Sequence, residues 1–308
     1  MDAPQLDAFI TVVEVGSFTR AAARLHLSQP TVTTRIKSLE LALGTMLVER
    51  LPGGVRPTAA GADLLPYARE IVRLTGRARQ AVGSGGQPHG RIEVGAIESL
   101  ATYRLLPVVE YLYWRYPKMQ LSMHTPAADN SVTDVRDGRL DCAFFIDSQR
   151  EWEGLRAAVL CPEPLVLVGG PDHLLVGRSD VTREDLRTAS LIRADSDAGY
   201  HRLYEQAVGL HDAAERPRTF ELGSVDAVKR SVSLGLGMAL LPAVTVRREL
   251  AERRLFPIDW TVPFEAYSQV VWRPGSGSNT GLEALVDAAI RVVREQDDET
   301  APVGGVPR

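Results

Sequence analysis

Cysteine is almost missing: the 308 residues hold two, Cys142 and Cys161. They form no CxxC pair and have no histidine pattern beside them. A disulfide framework and a zinc finger are thereby excluded, and two reduced, buried thiols are expected. Lysine is scarce too, with three of the 35 basic residues (Lys37, Lys118 and Lys229), the rest being arginine. Because arginine serves as well as lysine on most surfaces, this is read as compositional bias. No apolar run reaches the roughly 18 residues of a membrane span. The start, Met1-Asp2-Ala3-Pro4, lacks the basic and apolar stretches of an export signal, so a cytoplasmic location is expected. Catalytic signatures are also missing: there is no GxSxG, HExxH or P-loop. Gly235-x-Gly237 lacks a third glycine and ends a helix, whereas a dinucleotide loop precedes one. His26, His89, His124, His173, His201 and His211 are scattered without a metal-site or triad spacing, and Trp114, Trp152, Trp260 and Trp272 read as packing aromatics. Neither enzymatic activity nor a cofactor is expected.

The formal net charge of -4 gives no warrant for a chain that is basic all over, as a nucleic-acid coat would be. A length of 308 residues is a prior for two domains, each able to bury a core. Gly83-Ser84-Gly85-Gly86-Gln87-Pro88-His89-Gly90 is rich in chain breakers and reads as a linker. Divided there, residues 1–90 hold ten basic and seven acidic side chains, a net of +3, and residues 91–308 carry -7. A basic head precedes an acidic body.

The head reads as helices. Leu6, Phe9, Ile10 and Val13 recur at helical spacing, and Gly16-Ser17 ends that helix. Ser17 caps a second helix from Phe18 to about Leu25, and His26-Leu27 is a short turn. Ser28 caps a third, with Pro30 in the first turn, where its missing N–H costs nothing. Val32, Ile36, Leu39 and Leu43 form the buried stripe of this helix, and Gly44 stops it. Met46–Thr58, with Pro52-Gly53-Gly54 between short extended arms, predicts a hairpin or wing. Thr58 then caps a long helix to about Val82, slightly bent by Pro66. Its Leu64, Ala68, Ile71, Thr75, Ala78 and Val82 are spaced 4-3-4-3-4, which predicts a two-helix seam.

A helix, a tight turn and a second helix capped at its start make a helix-turn-helix layout. With Val32, Ile36 and Leu39 inward, Pro30, Thr33, Thr34, Lys37 and Ser38 point outward, and Gln29 and Thr31 are exposed at the N-terminal end. Such short, hydrogen-bonding side chains suit a helix laid in a major groove, where glutamine reads adenine and threonine methyls touch thymine. Arg50 and Arg56, flanking the wing, reach phosphates or the minor groove. The alternative is an ordinary polar face on a small helical domain, and periodicity alone leaves the two readings equal.

The residues themselves carry a further signal. Leu6-x-x-Phe9-x-x-Val12-x-Glu14-x-Gly16-Ser17-Phe18-Thr19-x-Ala21-Ala22, then Leu25-His26-Leu27-Ser28-Gln29-Pro30-x-Val32-Thr33, resembles the LysR-type transcriptional regulators. So do Ile36-x-x-Leu39-Glu40-x-x-Leu43-Gly44-x-x-Leu47, Arg50 and Pro57-Thr58-x-Ala60-Gly61. Val48 stands where the family usually has Phe, and Thr34-Arg35 replaces the usual basic-or-Gln pair. The resemblance implies a winged helix-turn-helix, all-α with a small β wing, over 1–58, with Gln29–Leu39 as the recognition helix. It implies DNA contacts from Ser28, Gln29, Pro30, Thr31, Thr33, Thr34, Arg35, Lys37, Arg50 and Arg56. A linker and dimerisation helix with its hinge follows over 59–90. The partners implied are operator DNA, a small-molecule effector and the chain itself, as a homodimer or a dimer of dimers.

The body, 91–300, alternates strands and helices, which predicts α/β units with largely parallel sheets. Strands are expected at Arg91–Ala96, Gln120–His124, Asp141–Ile146, Leu165–Val168, Ser190–Arg193 and Gln269–Trp272. Helices are expected at Ala101–Tyr116, Val132–Asp137, Gly199–Val208, Val225–Leu234 and Thr280–Arg294, with a disordered tail after Glu295. The resemblance continues more loosely through Gly95-Ala96-Ile97-Glu98-Ser99, then Leu105-Leu106-Pro107, Gly138-x-x-Asp141-x-Ala143-Phe144 and Gly235-x-Gly237-Met238-Ala239-Leu240-Leu241-Pro242. It implies a two-lobed α/β effector domain of type 2 periplasmic-binding-protein fold, with lobe one at 91–162 and 268–295 and lobe two at 163–267. Effector contacts are expected at helix N-termini: Glu98, Ser99, Leu100, Ala101 and Thr102; Thr125, Asp129 and Ser131; Gly199 and Tyr200; Ser224 and Val225. Phe145 on its strand completes the set. Ser99, Ser131 and Ser224 are also expected to cap their helices. Glu98, Asp129 and Asp226, near the same helix starts, favour a ligand with donors of its own over a bare dianion. Two rival readings of the two-lobe fold are a solute-binding protein for transport and a dehydratase- or deaminase-like enzyme. The first 90 residues oppose the former and the missing acid/base set opposes the latter.

Overall fold

The protein is described by a computed structural model over residues 1–83, 88–125, 128–194, 199–210, 217–275 and 280–300. It divides into two compact units, one dominated by Met1–Gln87 and the other by Pro88–Arg136 and Leu140–Arg308.

The first unit opens with α1 (Ala3–Val15), capped by the Asp2 side chain in a reciprocal box with Gln5 and closed by Gly16 at φ 63°. Next come α2 (Phe18–Arg24), capped by Ser17, and α3 (Gln29–Leu43), capped by Ser28 and closed by Gly44 at φ 68°. The tight turn between them bends at His26, φ 54°. The antiparallel pair β1 (Val48–Leu51) and β2 (Gly54–Pro57) forms the wing, and α4 (Ala59–Gly83) follows. Thr58 caps α4 by accepting from the Gly61 N–H. Leu6, Phe9, Val12, Ala21, Val32, Ile36 and Leu39 are fully buried and make the core.

Two expectations for this unit change. The α3 stripe ends at Leu39, because Leu43 is 40% exposed and the next inward position is Glu40. The carboxylate of Glu40 accepts the Leu47 and Val48 N–H groups at 2.9 and 3.3 Å, fixing the entry to the wing. On α4, Leu64, Ala68 and Ile71 pack into this unit's own core, so the first half of the 4-3 seam is covered from within. Tyr67 and Leu74 are the large apolar side chains that α4 leaves exposed among the described residues, and the Val82 side chain lies outside them.

The second unit holds two five-stranded sheets. The first is built from β3 (Gly90–Ala96), β4 (Met119–His124), β5 (Cys142–Asp147), β6 (Arg156–Pro162) and a strand that returns late, β12 (Tyr267–Trp272). Its order is β4-β3-β5-β12-β6. The second is built from β7 (Leu165–Gly169), β8 (Leu191–Arg193), β9 (Thr219–Glu221), β10 (Met238–Pro242) and β11 (Phe256–Pro257), in the order β11-β7-β10-β8-β9. Helices α5 (Glu98–Tyr103), α6 (Leu106–Arg115), α7 (Ala128–Arg136), α8 (Arg183–Thr188), α9 (Gly199–Val208), α10 (Val225–Ser233), α11 (Ala243–Ala251) and α12 (Thr280–Thr300) connect and cover them. The chain crosses between the sheets twice, at 163–164 and at 258–266.

Both sheets are mixed rather than largely parallel. β12 runs antiparallel to β5 and β6, and β10 antiparallel to β7, because each crossover brings the chain back reversed. The single helix expected from Ala101 to Tyr116 is two helices, since Pro107 lacks an N–H for the carbonyl four residues earlier. At the break Arg104 turns inward and makes a bidentate pair with Glu163 at 3.1 and 3.0 Å, both side chains buried, with Ser268 Oγ donating to the same carboxylate at 2.6 Å. β6, β9, β10, β11, α8 and α11 were not expected. α12 continues to Thr300, beyond Glu295, and residues 301–308 lie outside the described residues.

Candidate functional site

Two arrangements stand out, one in each unit. In the first, Gln29, Pro30, Thr31, Thr34 and Lys37 on α3 are exposed, Ser28 is exposed at its cap, and Thr33 is half-buried. Ser28 Oγ accepts the Thr31 N–H at 3.3 Å and pairs with Thr31 Oγ1 at 2.7 Å, so the helix start is fixed. Thr33 Oγ1 donates to the Gln29 carbonyl at 3.0 Å, back along the same helix. Arg35 departs from its neighbours. It is half-buried on the α1 side, and its charge opposes the burial that raises the Asp7 carboxyl above the usual range. On the wing, Arg56 pairs across the strands with Glu49, and both are exposed. The Arg50 guanidinium lies 4.5 Å over the Phe18 ring, which holds it beside the start of α2. The wing is tied down by the Val55 N–H donating to Gly16 O at 3.0 Å, and a Cβ at Gly54 would meet that same oxygen at 2.8 Å.

In the second unit the expected effector residues divide. Glu98 Oε2 accepts the Val225 N–H at 2.9 Å, so a carboxylate from the first helix after β3 caps α10. Ser224, at the N-cap of α10, makes no side-chain cap bond. Ser99 lies within α5, whose N-cap is Ile97, and the buried Ser131 lies four residues into α7. The capping expected of all three serines is therefore corrected, and at α10 the Glu98 carboxylate takes that place. Leu100 and Tyr200 are packed into the core, Ala101 is half-buried, and Thr102 and Thr125 are exposed. The side chain of Asp129 lies outside the described residues. Asp226 faces solvent and pairs with Arg230 at 2.9 Å.

Phe145 and Gly199 meet at a cavity of about 340 Å³ between the C-terminal end of β5, α7 and α9. Among the described residues Val132, Thr133, Arg136, Asp147, Arg150, Glu151, Trp152, Glu153 and Arg202 also line it. Sequence reasoning missed its centre, Asp147. This carboxylate is 2% exposed, its Oδ1 accepting from Ser148 N at 2.8 Å and its Oδ2 from Arg150 and Arg202 at 3.1 and 2.7 Å. One signal was legible: an acid closes the apolar run Ala143-Phe144-Phe145-Ile146, and such a strand end is where α/β sheets bind ligands. The 55-residue separation of Arg202 carried none.

Among the described residues no group of His, Cys, Asp and Glu is arranged to hold a metal, and no helix is long and apolar enough to cross a membrane. His201 is buried with no hydrogen-bond partner on either ring nitrogen, and burial, reinforced by the Arg193 charge, pushes the imidazole down to about 3. Cys142 and Cys161 are both buried, and burial pushes the Cys142 thiol well above its ordinary range.

Comparison with known proteins agrees with both units. Residues 4–62 match the bacterial regulatory helix-turn-helix protein, lysR family, and residues 85–294 match the LysR substrate binding domain. The HTH-type transcriptional regulator YwqM of Bacillus subtilis is 31% identical over 93% of this chain and 98% of its own. A hydrogen peroxide-inducible genes activator of Pectobacterium carotovorum is 29% identical over 93% of this chain and 95% of its own. A full-length OxyR variant from Pseudomonas aeruginosa shares the fold with a TM-score of 0.72 at 23% identity, over 94% of each chain. The basic winged unit, the two-sheet unit behind it and these matches lead to one conclusion: the chain belongs to the LysR family of DNA-binding transcriptional regulators, with an effector-binding domain after its helix-turn-helix.

Proposed function

We propose that the chain is a cytoplasmic one-component regulator that reads a pseudo-palindromic operator as a homodimer, or a dimer of dimers, through paired α3 helices. Gln29, Thr33 and Thr34 read base edges, Ser28, Pro30, Thr31 and Lys37 seat the helix, and Arg50 and Arg56 grip the backbone. Arg35, turned toward α1, has the weakest claim to a DNA role. The observation that carries this reading is the capped, polar α3 face of exposed short side chains, on the unit of the chain whose net charge is +3. A small molecule between the two sheets shifts the balance between two arrangements of the DNA-binding pairs, which requires it to bind one arrangement better. Regulation rather than catalysis is read because the similar proteins are regulators.

The test is a gel shift with the DNA upstream of the chain's own gene, over a range of salt. A specific, salt-sensitive shift is expected. Gln29→Ala and Thr33→Ala should each erode discrimination at one base pair by about 1–3 kcal/mol, whereas Arg50→Ala should weaken all sequences alike and reduce the salt slope by about one. If all three leave operator binding unchanged, the recognition helix is wrongly assigned.

A further inference from the structure

The two arginines of the wing leave it on opposite faces. Residues directly opposite in an antiparallel pair share a face, so Val48, Arg50, Val55 and Pro57 lie on one side of the hairpin and Glu49 and Arg56 on the other. Val48 is buried and Val55 packs against the core of this unit, which makes theirs the inner side. Arg50 therefore starts from the apolar face of the wing, and a charged side chain there must run along that face until its head reaches water. It does so over Phe18, a buried residue whose ring centroid lies 4.5 Å from the guanidinium. Thr19, the next residue, reaches the start of α3, its Oγ1 donating to Gln29 Oε1 at 3.5 Å. The ring under Arg50 is thus one residue away from a contact with the recognition helix.

The contact leaves the charge of Arg50 intact. Arg24 and Arg69 both lie within ion-pair reach of Glu14, at 3.5 and 3.3 Å, and Arg56 stands opposite Glu49. Among the described residues no carboxylate pairs with Arg50. A ring face attracts a guanidinium without neutralising it, and stacking keeps the in-plane N–H donors available to a phosphate. Resting on the reading of α3 and the wing as the DNA-binding surface, we propose that Phe18 is the positioning residue for Arg50. Its ring is a platform that holds the guanidinium beside the start of α3, where it meets the same stretch of duplex backbone as that helix. Phe18 itself touches no DNA.

Fluorescence anisotropy of the full chain on two duplexes over a range of salt tests this, one being the DNA upstream of its own gene and the other a random sequence of equal length. Arg50→Gln should weaken both duplexes alike and reduce the salt slope by about one. Phe18→Leu, which stays apolar but removes the ring face, should weaken both by about two- to fivefold, the span of an exposed cation–π contact. Added to Arg50→Gln it should weaken binding no further, whereas added to Arg56→Gln it should have its full effect. Phe18→Tyr, which keeps the ring, should bind as the parent does. Thermal unfolding of each variant separates lost packing from lost placement, and if Phe18→Leu does not fold, Phe18→Met is read in its place. The proposal is overturned if Phe18→Leu binds as the parent does, if it weakens the Arg50→Gln chain as much as the parent, or if Phe18→Tyr binds no better than Phe18→Leu. An Arg50→Gln chain that binds both duplexes as the parent does overturns it too, and leaves α3 to be judged by Gln29→Ala and Thr33→Ala. If the parent shows no salt-sensitive binding to either duplex, it is the DNA-binding reading that fails, and the platform with it.

Discussion

Single side chains do work here that their residue types do not announce. Glu40 occupies a helical position that periodicity assigns to the core, and it survives there because two backbone N–H groups at the wing entry are its partners. Glu40→Ala strands both donors in a buried place and should destabilise the first unit by about 2–3 kcal/mol, measured as the urea dependence of its unfolding transition. Glu40→Gln, which keeps an acceptor, should recover most of that loss. Gly61 was legible only as part of a family motif. The physical reason is that a Cβ there would lie 2.0 Å from the Leu47 carbonyl oxygen, where α4 presses on the wing. Caps such as Ser17 and Ser28 were legible because their partners are three residues away. The same inference failed at Ser99, Ser131 and Ser224, where Glu98 reaches α10 from 127 residues earlier.

At the scale of elements, sequence period reports which side of a helix or strand is apolar but not what covers it. The 4-3 spacing on α4 was real, yet Leu64, Ala68 and Ile71 are covered by the unit's own core. The helix starting near Ala101 was split by a proline that local pattern reading passed over, and β6 has a half-exposed, irregular face with little alternation to detect. β12 was legible as a strand, while its place between β5 and β6 was not, because that pairing is settled by the return crossover. The placement has a chemical outcome. Cys142 pairs with Trp272 on one side of β12 and Cys161 with Ser268 on the other. Two strand spacings of about 4.8 Å already exceed the roughly 7 Å within which Cα atoms must lie for a disulfide. Peroxide treatment of the native chain should therefore leave it without a Cys142–Cys161 bond on peptide mapping. A bond formed without prior unfolding would contradict the strand order.

Over the whole molecule, charge and acid response divide between the units. The net of -4 combines a head of +3 with a body of -7, so the sign that meets DNA is hidden in the total. Acid stability divides as well. His201, in the second unit, has a folded value of about 3 against an ordinary 6.5, so the unfolded chain binds the extra proton between those limits. Stability from this group is complete above about pH 6.5 and falls as pH drops toward 3, by about 2 kcal/mol at pH 5. Calorimetry between pH 7 and 5 should show the second unit's transition moving down while the first unit's moves less, and His201→Phe should flatten that response. An unchanged acid response in His201→Phe would mean that the imidazole is solvated in the folded chain.

The fit of Gly199 against Asp147 also bears on the order in which this sequence can change. Alanine at 199 would push the carboxylate out from between its two arginines, although the helical backbone there accepts any residue. A smaller residue at 147 followed by a side chain at 199 is an open path; the reverse order passes through an intermediate whose acid is ejected from its ion pairs with Arg150 and Arg202. Chains descended from this one should therefore lose the aspartate before they lose the glycine, and a library that randomises both positions should recover bulky residues at 199 only beside a shortened 147.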